Sequence, residues 1–179
     1  AGEVPAKVLK GDIEGAREAC KWYHNIFGDD YYLELQRHEV TDPTLIANRE
    51  TFPLQQQANK ALIEMAREFG IKLVCTNDCH FEDKETAEAH DHLLCLSTGK
   101  DLNDPDRMRY TKQEWFNTRQ EMNDVFSDIP EALSNTLEIL DKVEMYSIEH
   151  GPIMPFFPIP ESFGTEEEWR QKFSTDDLY

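Results

Sequence analysis

Apolar positions in the first half of the chain alternate between a helical and an extended period. Ala1 to Leu9 reads as a short helix or turn, with Pro5 tolerated in its first turn. Behind Asp12 as an N-cap, Ile13, Ala16, Ala19, Cys20, Tyr23, Ile26 and Phe27 recur at helical spacing, and Gly28-Asp29-Asp30 ends the run. Tyr31 to Gln36 then alternates as a strand does, with Leu33 and Leu35 on one face and Tyr32, Glu34 and Gln36 on the other. Residues 39–53 read as a loop that carries Asp42-Pro43 and ends near Pro53. Leu54 to Phe69 is amphipathic, with Leu54, Ala58, Ala61, Leu62, Met65 and Phe69 on its stripe and Gly70 as its left-handed stop. Ile71 to Val74 is a second extended, apolar run, and it leads into the polar turn Thr76-Asn77-Asp78-Cys79-His80. Helix, strand, helix, strand is the α/β signature of a parallel sheet.

From Asp83 onward the pattern is helical. Asp83 is placed to cap a helix through Thr86, Ala89, Leu93, Leu94 and Leu96, ending near Gly99. A polar loop with Arg107 and Arg109 runs from Lys100 to Tyr110. Thr111-Lys112-Gln113-Glu114 and Thr118-Arg119-Gln120-Glu121 both have the capping-box spacing and predict two short helices. Pro130 opens another helix, whose expected inner face holds Ala132, Leu133, Thr136, Leu137 and Leu140. Pro152 to Pro160 is too rich in proline for a helix or a central strand and reads as an extended apolar connector. Thr165-Glu166-Glu167-Glu168 caps a last helix. The organisation expected is therefore 1–83 as α/β, 84–150 as a helical extension and 151–179 as connector and following segment.

Candidate chemistry concentrates at the end of the second strand. Functional residues of parallel sheets sit at the carboxyl ends of strands, where Asp78 and His80 fall. In a locally extended segment, residues i and i+2 point the same way, so this carboxylate and imidazole can converge on one ion. Oxygen with imidazole suits zinc, manganese or iron. The competing reading makes Asp78 a turn cap and His80 a hydrogen-bonded strand-end residue. Two donors do not hold an ion by themselves; three or four are required. His90 and His92 lie about 200° apart on a helix and do not share an ion, whereas Glu88 and His92 are a surface pair at i,i+4. His38 follows the first strand and reads as a loop histidine. No glycine-rich phosphate loop and no serine nucleophile elbow occurs in the 179 residues.

A formal net charge of −18 excludes tight binding of a phosphate backbone by this surface alone. No apolar run approaches the roughly 20 residues of a membrane-spanning helix. Cys20, Cys75, Cys79 and Cys95 have no CxxC spacing and fit reduced, mostly buried thiols of a cytoplasmic protein. The chain starts at Ala1 rather than Met, and its last residues follow a helical pattern without a stop signal, which predicts a piece of a longer chain.

Several segments, taken in this order, carry a resemblance: Tyr32-Leu33-Glu34-Leu35-Gln36-Arg37-His38, Thr76-Asn77-Asp78-Cys79-His80, Glu88-Ala89-His90-Asp91, Thr98-Gly99-Lys100 and Ile129-Pro130-Glu131-Ala132-Leu133. Together they resemble the bacterial replicative (C-family) DNA polymerase III alpha subunits, over nearly the whole chain. The wording around Met108-Arg109-Tyr110-Thr111 is similar to the Bacteroides-type members. The resemblance implies the C-terminal part of a polymerase-and-histidinol-phosphatase (PHP) domain, a distorted (β/α)₇ barrel, followed by the connector to the polymerase core. It implies that Asp78 and His80 are ligands of zinc or manganese at the barrel mouth, with the remaining ligands upstream of Ala1. The magnesium-binding catalytic aspartates of the palm are expected beyond Tyr179, so no residue here is expected to be catalytic. Partners implied are other replicase subunits (a proofreading exonuclease, the sliding clamp) and DNA through other parts, with no membrane. In some members of the family this domain is a metal-dependent phosphoesterase or exonuclease, in others a scaffold. The flanks of the two strands are expected to be covered by the chain's own helices or paired with a second copy in a homodimer.

Overall fold

The computed structural model describes residues 2–40, 42–155, 158 and 160–173, which form two compact units, 1–144 and 145–179. The first unit is mixed α/β. Helices α1 (Glu3–Leu9) and α2 (Ile13–Phe27) pack together, and the Asp12 side chain caps α2 by accepting from the Gly15 amide at 3.0 Å. Strand β1 (Tyr32–Leu35) follows, then α3 (Phe52–Phe69), which Gly70 stops in the left-handed conformation at φ 70°. Strand β2 (Lys72–Cys75) lies parallel to β1, with Leu33 opposite Leu73 and Leu35 opposite Cys75. Leu33 and Leu35 are buried and Glu34 is exposed, which is the alternation their sequence predicts.

One core joins all of these elements. Val4, Val8, Ala16, Cys20, Leu33, Leu35, Leu62, Met65, Leu73 and Cys75 pack with Phe126 and Ile129, which lie between the later helices α5 (Arg119–Val125) and α6 (Pro130–Asp141), and with Ala132 of α6. The flanks of the strands are covered by helices. Asn135 of α6 donates its side-chain amide to the Leu73 carbonyl at 2.8 Å, and Asn59 of α3 does the same for the Gln36 carbonyl at 2.9 Å.

Three local expectations are corrected. Residues 47–51 are not loop but a wide π-type turn that runs into α3. Pro53 has no N–H to give the Arg49 carbonyl and its ring would crowd that carbonyl in a tight α-turn, so the widened turn accommodates it. Thr111 and Glu114 do close on each other, yet no helix follows, because Trp115 pairs in parallel with Phe81. Helix α4 (Ala87–Thr98) buries Ala87, Asp91 and Cys95 and leaves Leu93 and Leu96 exposed; α6 likewise buries Ala132 and leaves Leu137 and Leu140 exposed. The Thr118 box does start α5, with both reciprocal bonds in place.

In the second unit, Thr165 and Glu168 form a capping box at the start of α7 (Glu166–Lys172), and Trp169 stacks on Phe173. Residues 145–155 carry neither helix nor strand. Phe156, Phe157 and Ile159 of the expected connector, and the end of the chain from 174, lie outside the described residues.

Candidate functional site

β2 ends at Cys75, and the next residues cross the carboxyl end of the sheet. The Thr76 amide still donates to the Leu35 carbonyl at 3.1 Å, so the turn starts from a pinned position. Asp78 then adopts φ 50°, a left-handed conformation that a short polar side chain tolerates and most others resist. The turn therefore does not continue the extended geometry assumed from the sequence. Asp78 and His80 nevertheless converge: Asp78 Oδ1 stands 3.5 Å from His80 Nε2, and both side chains are part-exposed.

Two residues close on this pair: Tyr110, which sequence spacing did not single out, and His90, which it considered only with His92. The His80 ring packs against Tyr110, with centroids 4.3 Å apart, and against His90 at 5.8 Å. His90 also meets Phe81 at 5.1 Å and Tyr110 at 5.3 Å, so the four rings form one cluster. Burial, and then the nearby Asp78 and Glu114 carboxylates, push the Tyr110 hydroxyl above its ordinary pKa. Of the other candidates, His92 Nδ1 is turned back onto the Glu88 carbonyl of its own helix at 2.7 Å. Asp91 is held by Arg107 through two bonds of 2.6 and 2.8 Å, which keep its carboxyl below the usual range.

Beneath the turn lies a buried polar network. The Asn77 side-chain amide donates to the carbonyls of Gln113 and Trp115, both at 2.8 Å. The His80 amide donates to the Glu114 carbonyl at 2.8 Å, and the Phe116 amide to Phe81 at 3.1 Å. Segments 77–82 and 113–116 are thus clasped together. Glu114, 2% exposed, takes the Thr111 amide and hydroxyl at 3.0 and 2.6 Å and the Gln113 amide at 3.0 Å. Its carboxylate is satisfied by these neighbours on its own segment. His38 lies in the loop after β1, as its position suggested, but it is buried there, 3% exposed. Cys79 is the exposed thiol among the four and points to the Trp115 carbonyl at 3.3 Å; Cys20, Cys75 and Cys95 are buried. Burial pushes the Cys75 thiol up to about 12.

As a donor set, a carboxylate oxygen beside an imidazole nitrogen suits a first-row divalent ion. Among the described residues, no group of three or more His, Cys, Asp or Glu side chains is placed to hold one. Asp78 and His80 fit as two ligands of a site that needs further donors. No helix among the described residues is long and apolar enough to cross a membrane.

Comparison with known proteins puts the chain in the class of bacterial DNA polymerase subunits. No protein-family model matches it. It is 33% identical over 179 residues, 99% of its length, to the DNA polymerase III subunit alpha of Borreliella burgdorferi. Against the same subunit of Campylobacter jejuni it is 35% identical over 92% of its length, and against that of Treponema pallidum 32% identical over its full length. The chain matches DNA polymerase III alpha subunits along nearly its whole length, and it spans 15%, 13% and 14% of the lengths of these three relatives.

Proposed function

We propose that the chain serves replicative DNA synthesis as a segment of an alpha subunit, in which the whole protein carries out template-directed nucleotidyl transfer and this segment contributes two metal ligands. In this reading residues 1–83 are the last strands of a PHP-type barrel, 84–150 its helical extension and 151–179 the connector to the polymerase core. The observation that carries it is the convergence of Asp78 Oδ1 and His80 Nε2 at the carboxyl end of β2. Zinc or manganese held there by Asp78, His80 and donors from elsewhere in the subunit would act as a Lewis acid toward a phosphoryl oxygen or water. Asp78 and His80 supply charge and direction; Asn77, Glu114 and His38 hold the backbone that presents them. Polymerisation, with its magnesium ions, belongs to other parts of the subunit, as do contacts with DNA and the sliding clamp, in the cytoplasm.

A second reading, an interaction module that docks a proofreading subunit or a neighbouring domain, is favoured by the leucines left exposed on α4 and α6. Calorimetric titration with manganese and zinc separates the two. The comparison is between this chain and a complete alpha subunit containing it, each with and without Asp78→Asn, His80→Ala. Tight binding by the complete subunit that the double change abolishes supports the ligand role. No binding by either protein overturns it and leaves the docking module.

A further inference from the structure

The side chain of His38 lies beneath the Asp78 turn with both ring nitrogens engaged, and its surroundings assign its tautomer. The His38 backbone amide donates to Gln55 Oε1 at 2.8 Å. That bond fixes which end of the Gln55 amide is oxygen, so Gln55 Nε2, 3.1 Å from His38 Nδ1, arrives there as a donor. Nδ1 must therefore accept, which leaves the proton on Nε2. Nε2 stands 3.2 Å from the Asn77 carbonyl, a group that only accepts, and the assignment closes on itself. Glu114 Oε1, at 3.6 Å from Nδ1, is too far to compete for a proton.

This bond meets the chain immediately before Asp78. The Asn77 carbonyl is tied to His38, the Asn77 side chain to Gln113 and Trp115, and the His80 amide to Glu114. Asp78, the residue at φ 50°, is thus clamped on either side by groups anchored in other elements. Glu114 completes the clamp from the facing segment: its carboxylate folds residues 111–114 so that its own carbonyl faces His80. We propose that His38, as the Nε2–H tautomer, and Glu114 are positioning residues that fix the turn in which Asp78 and His80 face one another. The inference rests on the metal-ligand reading for its purpose, not for its geometry.

Cys79, exposed within the turn while the other three thiols are buried, supplies a readout that needs no metal. The experiment measures the modification rate of native Cys79 by a disulfide reagent at fixed pH in His38→Leu, His38→Gln, Gln55→Ala and the unaltered chain. Circular dichroism serves as the check of fold. Loss of a buried hydrogen bond loosens the turn by a free energy that corresponds to about a five- to tenfold rise in rate for His38→Leu. His38→Gln, which keeps an N–H donor near the Nε2 position, restores the rate to within about twofold. Gln55→Ala frees the tautomer without touching the core, so it raises the rate even if His38→Leu does not fold. A long-range ¹H–¹⁵N spectrum shows the His38 proton on Nε2. Equal rates in the folded variants, or a proton on Nδ1, overturn the proposal. Manganese titration of a complete alpha subunit containing this chain is read separately: no binding there sinks the metal reading alone, because the thiol rates still report the clamp.

Discussion

Arg107 and Asp91 offer the sharpest test of how the site's walls are held. Arg107 belongs to the loop that carries Tyr110, and Asp91 follows His90 on α4; both aromatic neighbours of His80 are therefore tied through this one ion pair. The guanidinium donates two bonds to the carboxylate, at 2.6 and 2.8 Å, and a third from Nε to the Leu102 carbonyl at 3.0 Å. Asp91 is only 7% exposed, so this is not a surface pair whose loss water would repair. Arg107→Met leaves a buried carboxylate without its partner, which costs about 3 kcal/mol. With an m-value of about 2 kcal/mol per molar urea, the unfolding midpoint falls by about 1.5 M. Asp91→Asn keeps the shape and loses the charge, for about 2 kcal/mol. The pair of changes together, Asp91→Leu with Arg107→Met, costs less than the sum of its parts, and the double-mutant cycle isolates a coupling of about 2–3 kcal/mol. The pH dependence follows from the bond to Arg107, which holds the Asp91 carboxyl low. Stability from this group is complete above the ordinary carboxylate value of about 3.9 and is lost as pH falls through the depressed value. The gap between the unaltered chain and Asp91→Asn therefore narrows below about pH 4. A midpoint shift under about 0.5 M for Arg107→Met, in the range of exposed pairs, would falsify this account.

Further outcomes are expected elsewhere. Leu35, fully buried under β1, loses about 3 kcal/mol on change to Ala, read as a urea midpoint. Asn135→Ala withdraws the donor from the Leu73 carbonyl and lowers stability by about 1 kcal/mol, while Asn135→Asp should do no better because a carboxylate cannot donate there. In thiol titration, the native chain exposes one reactive cysteine, Cys79, and the denatured chain four; a second native thiol reacting at the same rate would contradict the burial of Cys20, Cys75 and Cys95.

What the sequence made legible was local. Asp12 capping α2, Gly70 ending α3, Gly99 ending α4 and the Thr118 box starting α5 each depend on residues within one turn of one another, and all four occur. The Thr111 box failed for a reason of the opposite kind. Its side chains close as the motif predicts, but the Glu114 carbonyl is taken by the His80 amide and Trp115 is drawn to Phe81, so a distant segment claims the backbone a helix would use. The helix faces were misjudged similarly. Leu137 and Leu140 mark the apolar stripe of α6 by composition, yet α6 buries Ala132, packs Leu133 against the core and reaches β2 through the Asn135 amide and the Glu138 carboxylate. At the site, Asp78 and His80 could be singled out from the sequence, but they meet across a left-handed turn and not through the extended i, i+2 geometry their spacing suggested. His38, Tyr110 and Glu114 could not, because nothing local distinguishes a clamp that only the fold assembles.

The clasp between 77–82 and 113–116 also has a temporal side. It closes a loop that contains all of α4 and the arginine loop, and closing so long a stretch gains nothing until both ends meet. Helix α4 and its caps form from neighbours within a turn or two, whereas the left-handed Asp78 turn is held only by partners recruited from far along the chain. The paired side chains of Asp78 and His80 are thus a late product of folding, set in place once the rest of the unit has committed to its shape.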